Sequence, residues 1–393
     1  MMLENIITTA EYYQIIQQSD QTKDFISLVG KNLTKVEFKR KSFDTKDLSQ
    51  TILSGLDLSE FNCDYVILTE ANLDNSDLYL ASLSSANLKN ASLKNVDLRK
   101  ANLCNADLSG ADLTGTDLSY SDLRGANLLG ANLSNAKLIC SDLDKACLKN
   151  TNFKNANLTK ANLRGNTPYK TYNQLNFVDL KGANLDGAIL TGTLYNKQTR
   201  FPVGFDPKKA GAYLLAPGVS LEKADLSYTN LSGANLAGAN LHQANLTEVN
   251  LAHTNLSGAN LSQATIIIKD HKDIANIKLE RTNLNKATII GFKTTNTCTY
   301  LKGVNLREAI LSDVRFEYCE LMGANLSGLA LDGVSFANAT LTGANFSHSS
   351  LRGANFRRAS LCGVNFQGAN LNGAILEEHQ IKDAIMPDNF QLK

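Results

Sequence analysis

The sequence predicts a β-solenoid, a chain coiled into stacked turns around one apolar axis. Three observations carry this. An apolar residue, usually Leu or Phe, recurs at every fifth position, as in ANLCN, ADLSG and ADLTG over residues 101–115. A small residue stands two places before it, and four of the five prolines fall where the repeat breaks. We call the apolar residue the centre and number its neighbours −2, −1, +1 and +2, so that Leu103 is a centre, Ala101 is −2 and Asn102 is −1.

A period of five excludes the alternatives. On an α-helix five residues advance the side chain by roughly 140°, which scatters the leucines around the axis. On a flat strand an odd period sends successive leucines to opposite faces. A chain that turns after each five residues brings every centre to a common axis, and such coils gain stability by stacking on their neighbours.

From the N-terminus, residues 1–27 do not repeat. Thr8 and Glu11 form a capping-box pattern ahead of Tyr12, Tyr13, Ile15 and Ile16, which predicts a short helix over about residues 9–18. Its expected role is to cap the open end of the coil stack, which would otherwise expose unpaired backbone. A first solenoid is expected over 28–165, with centres in one register from Leu33 to Leu163, 27 repeats in all.

The register breaks at GNTPYKTYNQLNF, where Pro168 removes a backbone donor and Leu163 is followed by Leu175. Residues 166–220 hold this break, a few repeats and an insert carrying Pro202, Pro207 and Pro217. A second solenoid is expected over 221–386, interrupted near 267–273 and 290–300, and a tail over 387–393. Phe316, Phe336 and Phe356 are 20 apart, as are Phe346 and Phe366, so four repeats per coil is the simplest reading. At about 4.8 Å per coil, some 63 nominal repeats would make a rod about 75 Å long.

The A(D/N)LxG wording resembles the pentapeptide repeat family over nearly the whole chain. The resemblance implies a right-handed quadrilateral β-helix of four five-residue faces per coil, with centre and −2 side chains inside and the other three outside. TRFPVGFDPKKAG, residues 199–211, is similar to inserts of cyanobacterial members. The resemblance is almost silent on activity, although some members mimic duplex DNA and bind DNA gyrase.

Composition narrows the function further. The formal charge of +1 points neither to a general nucleic-acid binder nor to a general acidic mimic. The seven cysteines fall at unrelated repeat positions, with no metal-ligand or disulfide spacing, which fits a reducing cytoplasm. The N-terminus lacks a basic region and a long apolar run, so no secretory signal or membrane span is expected. Ser, Asp and Asn abound because the repeat uses them, so no nominal catalytic triad stands out, and neither a phosphate loop nor any other cofactor motif is present.

The departures from the repeat are the candidate sites. The −1 residues Glu37, Asp57, Asp77, Asp97 and Asp117 are 20 apart and are followed by Lys137, so a four-sided coil stacks them on one face. Residues 56–123 carry a net charge of −7. Tyr79 and Tyr120, with Leu80 and Ile139, point outward on the same face. Asp57, Asp77, Asp97, Asp117, Tyr79 and Tyr120 are therefore the candidate protein-interaction face. The alternative is that Asp and Asn are interchangeable here and that Arg99 and Lys100 neutralise their neighbours. Arg200, Phe201 and Phe205 are a candidate recognition loop, or else a loop whose rings cover the solenoid. The expected function is a non-catalytic scaffold or regulator binding an unidentified protein, without direct contact to nucleic acid. The alternative is a DNA-mimicking gyrase binder giving topoisomerase protection.

Overall fold

The computed structural model describes residues 5–22, 28–38, 41–43, 47–165, 177–294, 300–381, 383–388 and 390–391. The chain forms two compact units, 1–214 and 215–393. Pro168 and Leu175, singled out in the sequence, lie outside the described residues.

Unit 1 is a four-sided β-solenoid, the right-handed quadrilateral β-helix of its repeat class. From Ser42 to Asp142 each −1 residue forms a parallel bridge with the −1 residue 20 positions on, as in Asn62↔Ser82, Ser82↔Asn102 and Asn102↔Asp122. The rung is a backbone bond between coils: Leu83 N–H donates to the Asn102 carbonyl at 2.7 Å. Each corner is a tight turn in which the −2 N–H returns to the preceding centre, Ala86 to Leu83 at 3.0 Å. The turn requires a left-handed backbone at +2. Gly110 there has φ of 68°, and Lys100 adopts 58° without glycine's freedom.

The centres fill the axis, with Leu83, Leu103, Leu118 and Phe153 fully buried. The −2 sites hold mostly buried Ala, with larger Leu56 and Phe61 near the first end, and where Ser or Thr replaces Ala the hydroxyl bonds a carbonyl. Ser121 Oγ donates to Leu118 at 2.7 Å and Thr151 Oγ1 to Leu128 at 2.8 Å. A buried hydroxyl thus keeps a partner and avoids the desolvation cost of an orphan.

Helix α1 (Thr9–Thr22) closes the first end, longer by a turn than the sequence pattern predicts. Its capping box forms: Glu11 Oε2 accepts from Thr8 N–H at 2.7 Å, and Thr8 Oγ1 accepts from Glu11 N–H at 3.3 Å. Tyr12 is fully buried and meets Phe38 edge-on at 5.4 Å. Ile7 N–H donates to Asn32 and Asn32 N–H to Asn5, so a short extended segment pairs with the first coil.

Off-length coils are absorbed without losing the columns. Cys147 bridges Asp179, a step longer than 20, and the extra chain includes 166–176, outside the described residues. Strands β1 (Asn162–Leu163), β2 (Leu194–Tyr195) and β3 (Tyr213–Leu214) then stack in parallel.

Unit 2 repeats this plan. A 3-10 turn at His271–Ile274, capped by Asp270, takes up residues added near the expected interruption. Strands β4 (Asn245–Thr247), β5 (Thr265–Ile267), β6 (Thr288–Ile290) and β7 (Ile310–Ser312) form one side as a parallel sheet. The phenylalanine centres stack as their spacing predicts: Phe336 lies 5.1 Å from Phe356 at 5° and Phe346 lies 5.4 Å from Phe366 at 19°. Near the end of the unit, the buried Gln380 amide donates to the Phe356 and Ala359 carbonyls at 3.0 and 2.8 Å, plugging one side of the coil stack.

Candidate interaction face

The outer surface is built from the corner chemistry. At −1, Asp or Asn presents Oδ1 to the N–H two residues on, an Asx turn that satisfies a donor at the bend. Asp57, Asp77, Asp97 and Asp117 all do this, accepting from Ser59, Tyr79, Arg99 and Ser119 at 3.0, 2.8, 3.0 and 3.0 Å. The four also bridge in series, Asp57↔Asp77↔Asp97↔Asp117, and then Lys137. The structure therefore brings the four carboxylates into one column.

Cations lie on that column. Arg99 Nε stands 2.9 Å from Asp97 Oδ1, and Lys137 Nζ is 3.7 Å from Asp117 Oδ2. The bond from Arg99 holds the Asp97 carboxyl below the usual range. At Asp57 the Ser59 hydroxyl and N–H act in the same direction.

The two tyrosines differ. Tyr79 is half-buried beneath its neighbours, with the Arg99 guanidinium 5.5 Å and the Lys100 ammonium 5.7 Å from its ring centre. Lys100 Nζ also donates to its hydroxyl at 3.3 Å. Tyr120, at +2, is 52% exposed, and Leu80 on the same corner is 45% exposed. Of the two rings, Tyr120 is the accessible one.

Three further exposed tyrosines share its corner position. Tyr65, Tyr228 and Tyr318 stand at +2 with φ of 61°, 62° and 60°. Their signal in the sequence is an aromatic where the repeat prefers Gly or Asn. A non-glycine residue in this conformation costs of order 1 kcal/mol.

A second carboxylate device was also not foreseen. At the −1 serines Ser82, Ser92 and Ser350, an Asp at +1 of the preceding coil supplies the acceptor for the corner N–H. Asp64 takes Ser82 Oγ at 2.6 Å and Ser84 N–H at 2.8 Å; Asp74 takes Ser92 Oγ and Lys94 N–H at 2.6 and 2.9 Å. Asp332 repeats the arrangement with Ser350 and Arg352 in unit 2.

The insert residues are placed differently from a protruding loop. Arg200 belongs to the ladder, bridging Asp179 and donating N–H to the Val178 carbonyl at 3.0 Å. Its guanidinium lies 4.0 Å over the Phe177 ring. Phe201 and Phe205 stack at 5.4 Å, Phe201 meets Tyr195 edge-on, and both rings pack against the unit 1 core.

Among the described residues, no group of three or more His, Cys, Asp and Glu is arranged to hold a metal ion. Cys63, a buried centre, has its thiol pushed up to about 12 by burial and is inert. No helix of the described residues is long and apolar enough to cross a membrane.

The model of the family described as pentapeptide repeats matches eight copies, within residues 81–165, 224–263 and 299–377, more than half of the chain. The chain belongs to the pentapeptide repeat family. Among solved pentapeptide repeat structures it is similar to HetL from the cyanobacterium Nostoc sp. strain PCC 7120, a protein involved in heterocyst differentiation regulation. That match has 24% identity over 88% of this chain and 91% of HetL, with a TM-score of 0.27. Rfr23 from the cyanobacterium Cyanothece 51142 matches at 29% identity over 40% of this chain and 91% of its own, TM-score 0.18. QnrB1, a plasmid-mediated fluoroquinolone resistance protein, matches at 18% identity over 57% and 89%, TM-score 0.20. No curated protein matches significantly.

Proposed function

We propose that this pentapeptide repeat protein is a non-catalytic cytoplasmic scaffold or regulator that presents lateral solenoid faces, within 28–165 and 221–386, to a protein partner. The supporting observation is the column Asp57, Asp77, Asp97 and Asp117. Asn would cap the same turns and also donate to the preceding coil, so the turn caps themselves do not require carboxylates there. Tyr120 and Leu80 give that face an accessible apolar element beside the charges.

The packing of Phe201 and Phe205 favours a covering role for the insert over recognition. The test is affinity capture from native extract with wild type, with a quadruple Asp57/77/97/117→Asn variant, and with Tyr120→Ser. The expected outcome is loss of the same bound protein from both variants. An unchanged set of bound proteins would remove this face.

A second reading, mimicry of DNA toward DNA gyrase, has the −7 charge of residues 56–123 in its favour. The cations on Asp97 and Asp117 count against it. Inhibition of supercoiling, or relief of quinolone inhibition, is its expected sign; no effect at micromolar protein would exclude it.

A further inference from the structure

The corner that borders the acidic column of unit 1 carries its own file of side chains. Its +2 residues are Glu60, Leu80, Lys100, Tyr120, Cys140 and Lys160, all in the left-handed conformation. Each +2 N–H donates to the +1 carbonyl of the next coil, as in Glu60 to Tyr79 at 2.7 Å, Leu80 to Arg99 at 3.1 Å and Tyr120 to Ile139 at 2.8 Å. The six side chains therefore leave one corner in single file, roughly 24 Å long at about 4.8 Å per coil. Glu60, Leu80, Lys100 and Tyr120 are exposed, and Cys140 and Lys160 are half-buried.

Taken from its two ends inward, the file complements itself. The outermost residues, Glu60 and Lys160, have opposite charges. Leu80 and Cys140, the next two, are both apolar in character. The innermost two, Lys100 and Tyr120, are a cation and an aromatic ring. The −1 column shares the same centre: Asp77 and Lys137 stand at equal distances from it, and the central Asp97 and Asp117 each have a cation, Arg99 and Lys137. Whole coils follow the same order, with a net charge of −5 over residues 56–91 and +4 over residues 124–160.

We propose that a second copy of this chain docks on this face, antiparallel to the first, about a two-fold axis that crosses the solenoid between the levels of Lys100 and Tyr120. Such an axis sets each column against its own reverse. Glu60 of one copy then meets Lys160 of the other, Leu80 meets Cys140, and the Lys100 ammonium meets the Tyr120 ring, to which a cation is attracted. Every contact is made twice. A parallel arrangement would lay the acidic coils of the two copies on each other, and like charges across an interface select against it. The strip lies at the small end of protein interfaces, so the dimer is weak and sensitive to salt. This inference rests on the lateral face proposed above and names its occupant.

The test is sedimentation of the full chain from low to high micromolar concentration, at low and at high salt. The expected result is a monomer–dimer equilibrium in which the dimer weakens as salt is raised. Glu60→Lys and Lys160→Glu, each alone, should raise the dissociation constant roughly tenfold or more, because the two-fold axis applies each reversal twice. Mixed in equal amounts, the two variants should dimerise with each other about as well as wild type, since each supplies the charge that the other needs. That restoration also shows that neither variant is misfolded. A chain that stays monomeric at every concentration would overturn the proposal, and so would a dimer that neither reversal weakens or that the mixture fails to restore. A monomeric chain whose quadruple Asp→Asn variant still loses a captured protein would remove the second copy and keep the face for that other partner.

Discussion

The acidic column of unit 1 and the asparagine column of unit 2 occupy the same repeat position and solve the same turn with different side effects. Asn240, Asn260, Asn283, Asn305 and Asn325 each cap their own corner and also join their coils. Asn260 Nδ2 donates to Asn240 Oδ1 at 3.1 Å, Asn283 to Asn260 at 3.2 Å, Asn305 to Asn283 at 3.1 Å and Asn325 to Asn305 at 3.3 Å. A carboxylate accepts but cannot donate. The Asp57 to Asp117 column therefore has no such amide ladder, and it draws on Arg99 and Lys137 instead. The comparison teaches that the cap is shared by both residue types and the inter-coil tie belongs to Asn.

Both columns rest on the same inward frame, so the largest expected effect lies there. Leu103→Asp buries an unpaired charge in the axis and should cost more than about 4 kcal/mol by urea unfolding, or prevent folding. Asn102→Ser, one residue away and outward, should cost less than about 1 kcal/mol. Similar losses for the two would break the inside and outside assignment on which the comparison rests.

Exchanging the columns sharpens it. Asn283→Asp removes the donor to Asn260 and sets a carboxylate against its Oδ1, with an expected loss of about 1 to 2 kcal/mol. The reverse change, Asp77→Asn, should leave stability unchanged or raise it slightly. If Asp77→Asn destabilises as much as Asn283→Asp, carboxylates have a structural role in unit 1 that the ladder argument omits.

A smaller effect is expected from the inter-coil carboxylate. Asp64→Ala strands Ser84 N–H and the Ser82 hydroxyl and should cost about 1 kcal/mol, comparable to a lost helix cap. Asp64→Asn should restore part of it.

The smallest effect is a pH dependence. Asp57 and Asp97 have folded-state pKa values below their ordinary 3.8. A depressed carboxylate adds stability that is present above the unfolded value and lost as pH falls through the folded one. The stability difference between wild type and Asp97→Asn, followed by denaturation from pH 7 to pH 2, should therefore change only below about pH 4. A change centred near pH 6 would contradict these assignments.

Much of the fold was legible in the sequence because its determinants are local and periodic. The centres, the four-sided coil signalled by Phe336 and Phe356, and the Thr8–Glu11 box each depend on residues at fixed spacing. The stacking of Asp57 to Asp117 followed from the same arithmetic. The covering of Tyr79 did not, because it depends on where the Arg99 and Lys100 side chains lie one coil later. Arg200 was read with a loop because an off-length coil hides its register; the bridge to Asp179 emerges only when the chain is wound. The pairing of an Asp at +1 with a Ser 18 residues on was readable in principle, as Asp64 with Ser82 shows, once the corner N–H is known to need an acceptor.

The off-length coils have a consequence for how such a chain can vary. Cys147 reaches Asp179, and Asn255 reaches Lys278, across steps longer than 20, yet the bridges on either side resume unchanged. In the second case the added residues 269–272 are exposed, outside the apolar axis. Insertions of any length at one corner are thus tolerated as single local events, whereas deletion of a few residues within a side would shift every later side chain to a different column. Length polymorphism in this chain should concentrate at corners, and the four sides between them should change by substitution or by whole coils.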